Sequence, residues 1–282
     1  MSNNRPTALI LGGTGRTGSL LAGKLAPRGI AARTASRRGA DVRFDWDDPA
    51  THAEALADVD RLYLVTPVLR VRYAEQVAGF LDLAEAAGVR HVTFLSTYNA
   101  DQAPEGIDIA AVEADLAARQ AVTHSILRPA WVMQNFTDDH LPLIDGVITA
   151  PSGGGAEAFV DAEDIAAVAA ETLLDPGAHA GARYTLTGPQ ALTFREVADS
   201  ITAVAGRPVF YHDIDQEAWI SGALAAGVPA DYAVMLRWLT GAIISGHGSV
   251  PAGDIEKVTG RPSASFRGFA ERNASAWTLE GK

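Results

Sequence analysis

The chain has 282 residues, of which 48% are hydrophobic and 20% charged, with a formal net charge of -11. This is ordinary globular content with enough chain for one large domain or a domain with an elaborated cap, and it lacks the basic stripe that a phosphate backbone requires. It contains no cysteine, which excludes disulfides, thiolate metal sites and cysteine nucleophiles together.

The start, "MSNNRPTALI", has no apolar signal region before the first strand, and no apolar run approaches the roughly 18 residues of a membrane span. A cytoplasmic protein with no nucleic-acid and no membrane partner is therefore expected. In chain order, strands are predicted at Ala8 to Leu11, Ala31 to Ala35, Val42 to Phe44, Arg61 to Val65, His91 to Leu95 and Thr123 to Leu127. Between the fourth and fifth, Tyr73 to Ala87 carries Val77, Phe80, Leu81 and Ala84 at helical spacing and stops at Gly88. Strands alternating with helices predict an α/β fold, a Rossmann-like doubly wound parallel sheet covered on both faces. Residues 136 to 155 read as a loop, with Pro142, Pro151 and the Gly153 to Gly155 run. "FVDAEDIAAVAAETLL" reads as a strand end running into a helix with Asp161 at its N-cap. "LTFREVADSITAVAG" carries a capping box, Thr193 with Glu196 three residues on, and ends at Gly206. Beyond it the chain is mostly helical, apart from a strand at Val209 to His212. The expected division is a nucleotide-binding domain over 1–135, completed by about 158–190, with a smaller, mainly helical cap over 136–157 and 191–282.

"LILGGTGRTGSLLAGKL" places glycines between the first strand and the first helix. Gly13, Gly15 and Gly18 fit G-x-G-x-x-G, and Gly12, Gly15 and Gly18 fit G-x-x-G-x-x-G. Glycine lets the backbone turn tightly and approach a pyrophosphate, while the helix N-terminus offers unpaired N–H groups and its positive dipole end. Thr14, Arg16 and Thr17 add polar contacts at the mouth. A purely structural tight turn is the competing explanation, and the strand-turn-helix context favours the nucleotide. At the end of the second strand, "RTASRRGAD" puts Ser36, Arg37 and Arg38 where an NAD enzyme places an acid, and Asp41 comes later. Arginine and a small hydroxyl suit a 2′-phosphate, so NADP(H) is the expected cofactor, against a merely solvated basic turn.

Taken together, "GGTGRTG", "ASR", "FDWDD", "LVTP", "VTFLS", "LRPAWVMQNF", "FVDAEDIA" and "GRPVFYHDI" resemble, in order and over almost the whole chain, the NmrA-like branch of the atypical short-chain dehydrogenases/reductases. Within that group, "GGTGRTG", "FDW" and "LRPAWVMQNF" are especially similar to reductases acting on iminium intermediates of ergot alkaloid biosynthesis; other members reduce quinones, and a few only sense NADP. The resemblance implies a Rossmann domain with a small C-terminal substrate domain. It also implies that Asp45 and Trp46 lie near the adenine, that Thr66 and Pro67 flank the cofactor's middle, and that Arg128, Pro129 and Ala130 pass close to the nicotinamide.

Ordinary members of the superfamily use a Tyr-x-x-x-Lys pair for proton exchange. Here lysine is confined to Lys24, Lys257 and Lys282, none four residues after a tyrosine. In the NmrA-like pattern a lysine often precedes the helix's Val-Glu pair; Val112 and Glu113 are present and the corresponding position is Ile109. Reduction of an iminium or a quinone needs hydride aimed at an already electron-poor centre, and an iminium needs no proton in that step. Ser96 ends the fifth strand where the family's polar residue faces the nicotinamide; it either positions ligand or satisfies local backbone groups. Tyr98, in the following loop, is a candidate proton donor or else a loop aromatic over the cofactor. Trp131, Met133, Asn135 and Phe136 are candidate substrate contacts, with Trp131 and Phe136 equally readable as glue between cap and sheet. His91 and His124 begin strands and are expected at the sheet's edge, and the histidines show no metal-binding spacing. The favoured reading is an NADPH-dependent reductase of a planar conjugated electrophile, a small aromatic or heterocyclic substrate, in specialised metabolism. A non-catalytic NADP(H) sensor or regulator is the alternative, and a homodimer is the protein partner left open.

Overall fold

The computed structural model describes residues 5–138 and 140–277. Its strands are β1 (Thr7–Leu11), β2 (Ala31–Ser36), β3 (Val42–Arg43), β4 (Arg61–Leu64), β5 (His91–Leu95), β6 (Thr123–Pro129), β7 (Leu143–Ile144), β8 (Val147–Ala150), β9 (Ala156–Glu157), β10 (Ala182–Leu186), β11 (Leu192–Thr193) and β12 (Phe210–Asp213). Its helices are α1 (Arg16–Leu25), α2 (His52–Leu56), α3 (Ala74–Ala86), α4 (Ile109–Ala118), α5 (Ala162–Leu174), α6 (Pro176–His179), α7 (Phe194–Ala205), α8 (Gln216–Ala225), α9 (Ala233–Ile244), α10 (Asp254–Thr259) and α11 (Phe266–Arg272). The chain forms two compact units: one runs to Arg128 and resumes over Ala162–Thr185, and the other takes Pro129–Asp161 and continues from Leu186.

The first unit is built on a seven-stranded sheet in the order β10-β6-β5-β4-β1-β2-β3. The pairings of β1 with β2 and β4, of β2 with β3, of β4 with β5 and of β5 with β6 are parallel. Strand order runs outward from β1 to β3 on one side and from β4 to β6 on the other, so right-handed crossovers send successive helices to opposite faces. Accordingly α1 packs on α5, which lies against β4 and β5, while α2 and α4 pack on α3. A strand covered on both faces is apolar throughout, and Ala8, Leu9, Ile10 and Leu11 of β1 are all 0–1% exposed. The reversal of strand order between β1 and β4 opens the crevice in which such sheets place their ligands.

His91, expected at the sheet's edge, is instead buried on the internal strand β5 at 1% exposure. Its Nδ1 lies 2.9 Å from Thr123 Oγ1, and Nε2 is 3.4 Å from both Thr93 Oγ1 and Ser125 Oγ. Burial, then the nearby Arg61 charge, pushes its pKa down from 6.5 to about 4. A histidine kept neutral by the fold leaves stability intact above pH 6.5 and withdraws it as pH falls toward about 4. The expected loss is on the order of 3 kcal/mol. Urea midpoints across that interval should fall in the native protein and stay flatter in His91→Gln, which keeps polar partners but does not titrate. Equal slopes would show that His91 does not carry the acid sensitivity.

The second unit has a three-stranded sheet, β12-β8-β7, and a short antiparallel pair of β11 with β9. Residues expected to be a loop thus contain β7 and β8, joined by Asp145 and Gly146 at φ 50° and 80°. Two consecutive positive φ values give the primed turn whose twist matches a two-residue hairpin. The capping box of α7 forms as expected: Thr193 Oγ1 accepts from Glu196 N at 3.2 Å, Glu196 Oε2 accepts from Thr193 N at 2.8 Å, and Gly206 closes the helix at φ 66°.

Candidate functional site

At the C-terminal end of β1 the chain turns at Gly12, whose φ is 64°. Gly15 N donates to Gly12 O at 2.8 Å and Gly13 N to Ala35 O at 3.1 Å, so the turn is tied to itself and to β2. A Cβ on Gly13 would lie 2.6 Å from Thr34 Cβ, and one on Gly18 would lie 2.3 Å from Gly12 O. These glycines are therefore required by close approach, of turn to sheet at Gly13 and of helix to turn at Gly18. Helix α1 begins with Gly15 at its N-cap, without a side-chain cap or an acidic residue in its first turn. Its positive end carries no carboxylate of its own, which suits an anion.

A cavity of about 920 Å³ lies over this end of the first unit. The expected residues Gly12, Thr14, Gly15, Ser36, Arg37, Arg38, Asp45, Trp46, Thr66 and Pro67 all line it. Thr14 N and Oγ1 donate to Ser36 Oγ at 3.3 and 3.0 Å, joining the glycine turn to the end of β2. Arg37 and Arg38 are exposed and make no ion pair among the described residues. Trp46 has edge contacts with Phe44 and Phe80 at centroid distances of 5.1 and 5.3 Å, while its carbonyl accepts from Gln76, so one wall is aromatic and fixed. Asp45 Oδ1 accepts from Asp47 N at 3.1 Å, which turns the loop back on itself.

Other expected residues lie elsewhere. Thr17 Oγ1, assigned to the mouth, accepts from the hydroxyl of the fully buried Tyr63 at 3.0 Å, because that phenol has no water to satisfy it. Arg16, Thr17, Gly18, Ser96 and Pro129 are not on the cavity wall. Asp41 is consumed by the turn: its Oδ2 accepts from Thr34 N and Oγ1 at 2.8 and 2.7 Å, bonds that hold its carboxyl below the usual range. Sequence reasoning missed Arg43 and Arg70, which also line the cavity. Arg43 is 3.1 Å from Asp48, and Arg70 is 2.5 Å from Asp47, holding that carboxyl below its ordinary range. Arginines on separate elements, Arg43 at the end of β3 and Arg70 in a loop, leave no local motif.

A second cluster lies at the ends of β5 and β6 in the same unit. Ser96 Oγ donates to Glu113 Oε1 at 2.5 Å, and the Arg128 guanidinium forks onto both Glu113 oxygens at 2.9 and 2.5 Å. Arg128 also donates to Asp101 at 2.8 Å. Ile109, at the position where the family pattern often has lysine, is buried at 4% exposure. Tyr98 is half-buried in the loop after Ser96.

In the second unit, Trp131 and Asn135 are half-buried, whereas Met133 and Phe136 are core residues at 1% and 2% exposure. Phe136 meets Phe159, Phe194 and Phe266 edge-on at 5.2, 5.9 and 5.3 Å. Both were candidate substrate contacts, and here both pack among apolar side chains. Among the described residues no group of three or more His, Asp or Glu could hold a metal, and no helix is long and apolar enough to cross a membrane.

Over 96% of its length the chain is 36% identical to the uncharacterized oxidoreductase YesF of Bacillus subtilis, 96% of which is covered. It is 31% identical to festuclavine synthase II of Penicillium roqueforti, covering 96% of this chain and 99% of that one. The structure of an Escherichia coli NADPH-dependent quinone oxidoreductase complexed with NADPH matches 94% of this chain and 99% of its own, with a TM-score of 0.75 at 24% identity. The NmrA-like family model matches residues 5–240, and with the glycine turn, the parallel sheet and these relatives the chain belongs to the NmrA-like family.

Proposed function

We propose that the protein is an NADPH-dependent reductase that passes hydride to a planar conjugated electrophile, a quinone or a cyclic iminium. The observation that carries the cofactor is the cavity that joins the glycine turn and the open end of α1 to Ser36, Arg37 and Arg38. The donor set fits the group: backbone N–H for pyrophosphate, two arginines and a hydroxyl for the 2′-phosphate, and the fixed Trp46 wall for the adenine. Bound there, NADPH supplies hydride, two electrons with one hydrogen.

What surrounds Ser96 supports the substrate class. Arg128 has its charge matched by Glu113 and Asp101, so it does not replace the absent lysine in depressing a tyrosine's pKa. A carbonyl that needs a strong acid is poorly served. An iminium carbon takes hydride and becomes a neutral amine without a proton, and a quinone takes hydride with one proton, from solvent or from Tyr98. The likeness to a festuclavine synthase supports a heterocyclic substrate. In this reading the first unit carries NADP(H), and Trp131 and Asn135 remain the candidate substrate contacts.

The test is anaerobic NADPH oxidation across polycyclic quinones and cyclic iminium compounds, with NADH in parallel. Turnover favouring NADPH is expected; tight binding with no turnover on any compound would overturn the enzymatic reading in favour of a sensor. Arg37→Ala should weaken NADPH by roughly 10- to 100-fold, the worth of a charged hydrogen bond, and leave NADH nearly unchanged. Calorimetric titration of both cofactors checks this, and equal losses would remove the 2′-phosphate assignment.

A further inference from the structure

We infer that Glu113 is a positioning residue that fixes the direction of the Ser96 hydroxyl, making Ser96 an acceptor for an N–H of the cofactor's carboxamide; this rests on the reading that the first unit holds NADP(H). A serine hydroxyl has one proton and two lone pairs, and an ionised carboxylate only accepts. Arg128 donates from Nε and Nη2 to the two Glu113 oxygens at 2.9 and 2.5 Å, so both oxygens are acceptors and the proton in the 2.5 Å Ser96–Glu113 bond is serine's. Both groups are buried, Ser96 at 7% and Glu113 at 4% exposure. Inside such a network the proton has no second position, and Ser96 presents only lone pairs to whatever approaches it.

The register places the Ser96 backbone at the sheet edge that carries the cavity. Ile10 of β1 pairs with Tyr63 of β4, Leu64 with Phe94 of β5, and Leu95 with Leu127 of β6. Continuing these rows past the strand ends sets Gly12 beside Val65, and Thr66 beside Ser96. Gly12, Val65 and Thr66 line the cavity, and Ser96 is one strand further along the same edge, about 4.8 Å on. Ser96 N donates to Leu127 O at 2.8 Å, which pins its backbone to β6, and Asp101 holds the far side of Arg128. Ser96 thereby takes the ligand-positioning role that the sequence offered it, and Tyr98 is left as the candidate proton donor.

The test compares binding of NADP and of its 3-acetylpyridine analogue, in which a methyl replaces the carboxamide NH2, by calorimetry without turnover. The wild type is expected to prefer the carboxamide by about tenfold, the value of one hydrogen bond at a buried acceptor. Ser96→Ala leaves the Glu113–Arg128 pair in place and should bring the preference close to one; Ser96→Thr, which keeps the hydroxyl, should retain it. Glu113→Gln turns an amide N–H toward Ser96 and frees the serine proton, so the preference should collapse there too. If that variant does not fold, the Ser96 pair decides alone. Arg37→Ala, which acts at the other end of the cofactor, should lower both affinities and keep the ratio. A wild type that binds neither molecule would refute the cofactor reading itself, whereas equal affinities in the wild type, or a preference surviving Ser96→Ala, would overturn this inference alone.

Discussion

Gly18→Ala is expected to weaken NADPH by roughly 100-fold, about 2.7 kcal/mol, whereas Gly23→Ala in the same helix is expected to raise stability by about 0.5–1 kcal/mol. The two glycines differ in what an added methyl would meet. At Gly18 it would lie 2.3 Å from Gly12 O, 2.9 Å from Gly12 C and 3.0 Å from Gly13 Cα, and all three are backbone atoms of the turn. No side chain is available to swing aside, so α1 must move away from the turn that its N-terminus serves. At Gly23 nothing lies within 4 Å, and alanine simply removes the entropy cost of a glycine inside a helix. Calorimetry with NADPH and urea midpoints on both variants separate the effects. Native affinity in Gly18→Ala would mean that the turn's approach to the helix is not what holds the pyrophosphate.

Much of this arrangement is legible in the residues. The strand predicted at His91 to Leu95 forms with those bounds, and the one predicted at Arg61 to Val65 ends one residue earlier. Such agreement is expected where β-branched and apolar residues must fill a strand covered on both faces. The cavity was legible through Gly12, Gly15, Ser36 and Arg37 because that part of its lining comes from one contiguous turn and one strand end. Glu113, Arg43 and Arg70 were not, because their roles come from neighbours brought near by folding: Glu113 meets Ser96 and Arg128 across 17 and 15 residues of chain, and Arg70 meets Asp47 across 23. The β7–β8 hairpin had a local signal, Asp145-Gly146, that was overlooked beside the surrounding prolines and glycines. Strand β10 had a weaker one, Tyr184 and Leu186 buried in alternation. Phe136 shows why the sequence left two readings open: an aromatic residue shortly after a sheet strand has the position of a pocket wall, and whether it faces a ligand or three other phenylalanines depends on elements far along the chain.

The cluster around Phe136 supplies the second large effect. Phe136→Ala is expected to destabilise the protein by about 3–5 kcal/mol, because a buried phenylalanine in contact with Phe159, Phe194 and Phe266 leaves a cavity that rigid neighbours do not fill. Edge-on ring pairs add to the transfer energy lost. For a chain of this size each kcal/mol lowers Tm by roughly 2–4 °C, so a scanning experiment should find a fall on the order of 10 °C. Phe136→Leu keeps most of the volume and should lose a smaller share. In both variants, at temperatures where the fold is intact, KM for the reducible substrate should stay near the wild-type value, whereas Trp131→Ala should raise it with a smaller change in Tm. A raised KM with unchanged Tm in Phe136→Leu would return that ring to the substrate site and require the aromatic cluster of the second unit to open when ligand binds.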